Sequence, residues 1–180
     1  MVMHNPLITF RRLDHTDAAE YRAIRLECLK AYPENFGSTY EEQRKLPKLM
    51  FEKALEQPID DRFVMGAIDQ TNLDQKDLIG ICGFVPLIPD SELKTASSGI
   101  IIQVYVKAAY SGKRVGLGLL KATTAEAFKT TAVTQIILGV REGNMSAIRV
   151  YEQAGFETYT PPNANSQDGD TRHMILYRYT

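Results

Sequence analysis

The stretch Val104 to Leu120, VYVKAAYSGKRVGLGLL, places three glycines and two cations where an apolar run gives way to a helical period. Glycines at 112, 116 and 118 let the backbone come close to a ligand. The free N–H groups of a helix N-terminus attract phosphate, and Lys113 and Arg114 add formal charge at the same place. The chemistry is capture of an anion, most plausibly a pyrophosphate. Two familiar phosphate loops do not fit. A GxxxxGK[ST] loop requires a hydroxyl after its lysine, and here Arg114 follows Lys113. A GxGxxG fingerprint requires a third glycine where Lys121 stands, and no βαβ unit starts at this point of the chain. The remaining alternative is a helix that merely tolerates glycines near its start.

A second segment, Arg141 to Phe156 (REGNMSAIRVYEQAGF), narrows the choice. Asn144 is placed to cap a helix on which Ala147, Ile148 and Tyr151 share a face. Gly155 ends that helix and Phe156 opens a strand.

Together the two segments resemble the GCN5-related N-acetyltransferase (GNAT) superfamily. There, a strand ending V-x-V runs into a loop of type [R/Q]-G-x-G-x-G and a helix with Leu-Leu. Here these are Val104-Tyr105-Val106, then Ser111 to Gly116, then Leu119-Leu120. The downstream pattern N-x-x-A-x-x-x-Y-x-x-x-G-F is matched by Asn144, Ala147, Tyr151, Gly155 and Phe156. Arg11 or Arg12, Leu13 and Asp17, with the PENFGSTYEEQ loop, are a weaker likeness. The resemblance implies acetyl-CoA as cofactor. It gives Val104, Tyr105 and Val106 to the pantetheine arm, and Ser111, Gly112, Lys113, Arg114, Val115 and Gly116 to the pyrophosphate. It places Asn144 and Ala147 against the cofactor and makes Tyr151 the proton donor to the leaving thiolate. Two residues depart from the pattern: Ser111 replaces the usual Arg or Gln, and Arg114 replaces a glycine. Gln103 stands in the strand where some members hold a glutamate base. The candidates for that role are therefore Glu34, Glu41, Glu42, Glu142, His173 or a water relay.

The implied fold is α/β (α+β): a central mixed, mostly antiparallel sheet of about seven strands, flanked by about four helices, with a splayed fourth and fifth strand. The elements needed to build it can be read along the chain. Strands are expected at 7–13, 62–68, 78–87, 99–106, 135–140, 156–159 and 173–179. Helices are expected at 17–31, 47–57, 116–128 and 145–154. Asp17 and Glu20 have capping-box spacing, Pro47 suits a first helical position, and 32–43 reads as a loop. Isoleucines at 100, 101 and 102 imply a strand buried on both faces. Polar stretches at 69–77 and 161–170 read as loops.

The 180 residues make one domain the expectation, with 1–90 covering the acceptor and 99–160 holding the cofactor. A net charge of -1 argues against nucleic-acid coating, and the apolar runs are too short for a membrane span. Met1 to Pro6 lacks a signal-peptide pattern, so a cytoplasmic protein is expected. Cys28 and Cys82 form no CxxC pair, so neither a metal cage nor a covalent thiol intermediate is expected. The charge is uneven. Residues 1–90 carry 11 basic and 15 acidic side chains, and 91–180 carry 10 and 7. An acidic acceptor half suits a cationic acceptor. The expected activity is acetyl transfer to a primary amine of a small molecule by direct attack in a ternary complex, with Phe36, Tyr40 and Glu41 at the acceptor and a homodimer possible. The alternatives are a protein or peptide N-acetyltransferase and a non-catalytic acyl-CoA-binding module.

Overall fold

The computed structural model describes residues 7–58, 61–71, 77–87, 97–162 and 169–179. Met1 to Pro6 and most of the two polar stretches read as loops, 69–77 and 161–170, lie outside the described residues. Seven strands are present: β1 (Ile8–Arg12), β2 (Phe63–Asp69), β3 (Asp77–Pro86), β4 (Ser98–Val106), β5 (Gln135–Arg141), β6 (Glu157–Thr158) and β7 (Thr171–Tyr177). They form one sheet in the order β1-β2-β3-β4-β5-β7-β6. All neighbours are antiparallel except β4 and β5.

Among the described residues there are five helices rather than about four: α1 (Ala18–Ala31), α2 (Tyr40–Gln43), α3 (Met50–Glu56), α4 (Val115–Thr130) and α5 (Met145–Gln153). The extra one, α2, is a single turn inside the expected loop. Thr39 Oγ1 accepts the Glu42 N–H and Glu42 Oε2 accepts the Thr39 N–H, both at 3.3 Å, a reciprocal cap that closes the turn. The start of α1 also differs from expectation. The capping box is Asp14 with Asp17, not Asp17 with Glu20. Asp17 is held by Arg11 through two 2.7 Å bonds and accepts the Asp14 N–H at 2.8 Å. A 3-10 turn, His15–Asp17, therefore precedes the helix. Pro47 is not a first helical residue. Leu49 holds the N-cap position of α3, and the Glu52 carboxylate accepts its N–H at 2.5 Å.

The two faces of the sheet bury separate cores. One packs Leu119 and Leu120 of α4, Ile148 of α5 and Phe156 just beyond it against Phe84, Ile136 and Met174. The other packs α1 and α3 through Tyr21, Leu29 and Phe51 against Val64 and Ile81. The expectation for the isoleucine run needs correction. Ile101 is buried, but Ile100 and Ile102 are only half-buried, because their side of β4 borders a cleft.

Candidate active site

The cleft follows from the pairing of β4 and β5. The two strands pair only over Ser98 to Ile100 with Gln135 to Ile137. Beyond that short seam β4 runs on to Val106 and β5 to Arg141, and the strands part. A cavity of about 1130 Å³ opens between them, lined by β4 from Ile100 to Val106 and by β5 from Leu138 to Arg141. Backbone groups that a ladder would have used face this space and need partners. β4 also bulges. Two of its residues, Gln103 and Val104, face the single β3 residue Cys82 between the pairs Ile81–Tyr105 and Gly83–Ile102. Gln103 takes a left-handed φ of 57°, and its Oε1 accepts the Tyr21 hydroxyl at 2.8 Å.

At one end of the cleft a tight turn leads into α4. Gly112 has φ 74° and Arg114 has φ 61°. The first suits glycine. The second makes an arginine adopt the conformation that a glycine holds without steric cost. Arg114 occupies the N-cap position without a side-chain cap. The N–H groups of Val115, Gly116 and Leu117 therefore have no intrahelical acceptor, and all three residues border the cleft with Ser111, Gly112 and Arg114. Lys113 is turned elsewhere. It is not among the lining residues, and its Nζ lies 5.1 Å from the Tyr110 ring centroid. The Tyr110 hydroxyl in turn donates to Asp69 at 2.6 Å. Gly118 is not a ligand-facing glycine either, since a Cβ there would come within 2.5 Å of Phe10 Cζ. Its role is close packing of α4 on β1.

The start of α5 also lines the cleft, near the start of α4. Asn144 Oδ1 accepts the Ala147 N–H at 3.2 Å, the expected cap, and both residues border the cleft. Tyr151 borders it too while being 7% exposed. Its ring lies 6.3 Å from that of Phe156, and none of the described residues hydrogen-bonds its hydroxyl. Burial pushes this phenol well above the ordinary tyrosine range. Cys82 sits close by, and burial pushes its thiol up to about 12. Cys28 is also buried with a raised pKa, burial being the main cause.

The far end of the cleft lies under α1 and the α1–α2 loop. Phe36 lines it as expected, together with Arg25, Tyr32 and Gln103. Tyr40 and Glu41 do not line it. Tyr40 lies between Lys30 and Arg44, and Glu41 pairs with Arg44 at 2.7 Å. Arg141 Nη1 donates to the Glu34 carbonyl at 2.8 Å, tying the end of β5 to the α1–α2 loop. Among the described residues no Asp, Glu or His lines the cleft. The acidic N-terminal half expected to cover the acceptor thus brings no carboxylate to the cleft among the described residues. Glu42 is engaged by Thr39, which holds its carboxyl below the usual range. Glu142 is bound twice by Arg172, at 3.2 and 2.8 Å. His173 lies on β7, its ring 6.2 Å from that of Tyr159. Glu34 reaches the region only through its backbone.

Most of the chain that builds this cleft is matched by a family. The model of the GNAT acetyltransferase family matches residues 21–156, and the chain belongs to that family. By that membership it is an N-acetyltransferase that uses acetyl-CoA. Solved structures agree in fold. YncA from Salmonella typhimurium, determined with acetyl-CoA, is 18% identical with a TM-score of 0.68, covering 94% of this chain and 93% of its own. The PaiA N-acetyltransferase from Thermoplasma acidophilum, in complex with coenzyme A, is 21% identical with a TM-score of 0.67, covering 95% and 99%. The ribosomal-protein-alanine N-acetyltransferase from Brucella melitensis is 19% identical with a TM-score of 0.66, covering 94% and 99%. A search of curated proteins finds no match.

Among the lining residues that were not anticipated are Arg25, Gln103 as a bulge residue, and Arg141 as a tie. Arg25 had a visible signal. It is a cation on the otherwise apolar face formed by Tyr21, Ile24, Cys28 and Leu29. The bulge and the tie depend on long-range pairing, which local spacing does not encode.

Proposed function

We propose that the protein transfers the acetyl group of acetyl-CoA to a primary amine of a small molecule by direct attack within a ternary complex. The observation that carries this reading is that one cleft is lined by Tyr151, whose hydroxyl has no partner among the described residues, by the open part of β4 and by the free amides of α4. The site fits the cofactor. Unpaired backbone along Val104 to Val106 can accept and donate to an amide-bearing arm. The amides of Val115 to Leu117, with Arg114, can neutralise a pyrophosphate. When bound, acetyl-CoA supplies an activated acyl group on a sulfur leaving group.

The chain's own residues do the rest. Tyr151, held protonated by burial, hydrogen-bonds the sulfur and delivers a proton as the C–S bond breaks and the C–N bond forms. The amine attacks in its neutral form and loses one proton to water, from which Tyr151 is recharged. With no carboxylate or imidazole lining the cleft among the described residues, solvent and backbone carbonyls take that proton. Cys82 and Cys28 are buried thiols outside the cleft, which supports direct transfer over an acyl-cysteine route. The Arg141–Glu34 bond across the acceptor end favours a compact amine over an extended peptide.

The test is release of CoA thiol from acetyl-CoA with panels of small amines and of peptides. Turnover of small amines at least tenfold better in kcat/KM supports the reading. Preference for peptides overturns it in favour of protein acetylation. Tight acetyl-CoA binding without turnover of any acceptor leaves the binding-module alternative.

A further inference from the structure

The acceptor end of the cleft holds a charge that no carboxylate among the described residues pairs with. Arg25 is 4% exposed, yet no ion pair with it occurs among the described residues. The other buried charged residue, Glu52, is paired with Arg22 at 2.7 Å. The Nε of Arg25 is buried without a hydrogen-bond partner. Its Nη1 reaches only the Cys28 sulfur, at 3.5 Å, a weak acceptor. Its guanidinium carbon lies 4.9 Å from the Phe36 ring centroid, and both residues border the cleft. A guanidinium keeps its charge in a protein, and burying one without an anion is costly. The remaining charges on the wall have the same sign. Arg114 and Arg141 line the cleft, and no carboxylate does among the described residues.

The position of Arg25 separates it from the cofactor's phosphates. It lies one turn after Tyr21 on α1, on the helix face that meets the Gln103 bulge through the Tyr21 hydroxyl. The phosphate-binding amides belong to α4. With Oε1 of Gln103 taken by Tyr21, its amide NH₂ remains as a second donor in the cleft.

We propose that Arg25 anchors a carboxylate of the acceptor, so that the substrates are amines that also carry a carboxylate group: free amino acids and related aminocarboxylic acids. This rests on the small-amine acetyltransferase reading above and names its substrate class. The planar fork of a guanidinium matches the two oxygens of a carboxylate, and the apolar walls strengthen that pairing. The carboxylate supplies the counter-charge missing from the folded protein, while the amine end points along β4 to the thioester.

The experiment pairs each acceptor acid with its methyl ester and primary amide, and adds aminoalkylphosphonates to separate a phosphate preference from a carboxylate one. CoA release is measured on the full chain. In parallel, thermal shift measures binding of N-acetyl amino acids against their amides, which needs no turnover. Acids are expected to exceed their esters at least 30-fold in kcat/KM, and N-acetyl acids to stabilise the protein where their amides do not. In Arg25→Met, which keeps the packing on Phe36, the acid-over-ester ratio should collapse to within threefold of unity, mainly through KM. Arg25→Lys should restore part of it. Equal turnover of acids and esters overturns the proposal and leaves the acetyltransferase reading standing, as does a preference for phosphonates. If no acceptor turns over, the acetyltransferase reading fails, and thermal shift still decides whether Arg25 binds carboxylate.

Discussion

Tyr151 combines two properties that rarely coincide: near-complete burial and a hydroxyl with no hydrogen-bond partner among the described residues. Replacing it with phenylalanine removes no protein hydrogen bond, so stability should hold while chemistry suffers. Tyr151→Phe is expected to lower kcat roughly 10²-fold while acetyl-CoA affinity, read by calorimetry, stays within about twofold. The pH profile follows from the same environment. Because its proton is held more tightly folded than unfolded, Tyr151 contributes stability below the ordinary tyrosine pKa of about 10 and loses it as pH rises further. Between pH 9 and 11, denaturant titrations of wild type and Tyr151→Phe should therefore diverge, wild type losing about 1.4 kcal/mol relative to the variant per pH unit above about 10. In kinetics, kcat/KM should rise with the ionisation of the acceptor amine itself, moving when a less basic amine is used. A fixed limb near pH 6.5 for every amine would instead reveal an imidazole base.

Elements position these residues, and here legibility divides by range. The α5 motif was readable because a cap and a helix face are local: Asn144 to Ala147 is three residues, and Tyr151 lies one turn further. The α4 turn was readable in outline, but its left-handed Arg114 was not, since the motif position favours glycine and the sequence offers a cation. The two substitutions there separate strain from charge. Arg114→Val should be less stable than Arg114→Gly by about 1–2 kcal/mol, and both should weaken CoA binding severalfold relative to wild type. The α2 turn escaped notice because four residues are too few to show a period, although Thr39-x-x-Glu42 is a capping box. Tyr40 and Glu41 were drawn to the acceptor by their place in the loop. The turn instead spends them on Lys30 and Arg44.

At the scale of the whole molecule, residues 1–90 carry 15 acidic side chains, yet none of those among the described residues lines the cleft. Asp17 is paired with Arg11 and Glu41 with Arg44. The charged residues that line the cleft, among those described, are cations. With Arg114 and open amides at the phosphate end, CoA affinity should fall severalfold between about 0.02 and 0.5 M salt, as the screening length shrinks. Calorimetry across that range tests it. The sheet is continuous in order yet nearly divided, because the closed end of the cleft rests on the three-residue pairing of β4 with β5. Gly99 lies in that pairing with no room for a side chain, a Cβ meeting the buried Phe84 ring at 2.2 Å. Gly99→Ala should cost about 1–3 kcal/mol by overpacking and should be visible as a lowered Tm.

That seam also acts as a fulcrum. Six residues of β4 project past it, an arm of about 20 Å at the usual strand rise. A rotation of about 5° at the seam then moves the tip of β4 by about 2 Å, on the scale of a hydrogen bond. The Arg141–Glu34 bond crosses near the free end of the other arm, where a latch has the greatest mechanical advantage over the gape.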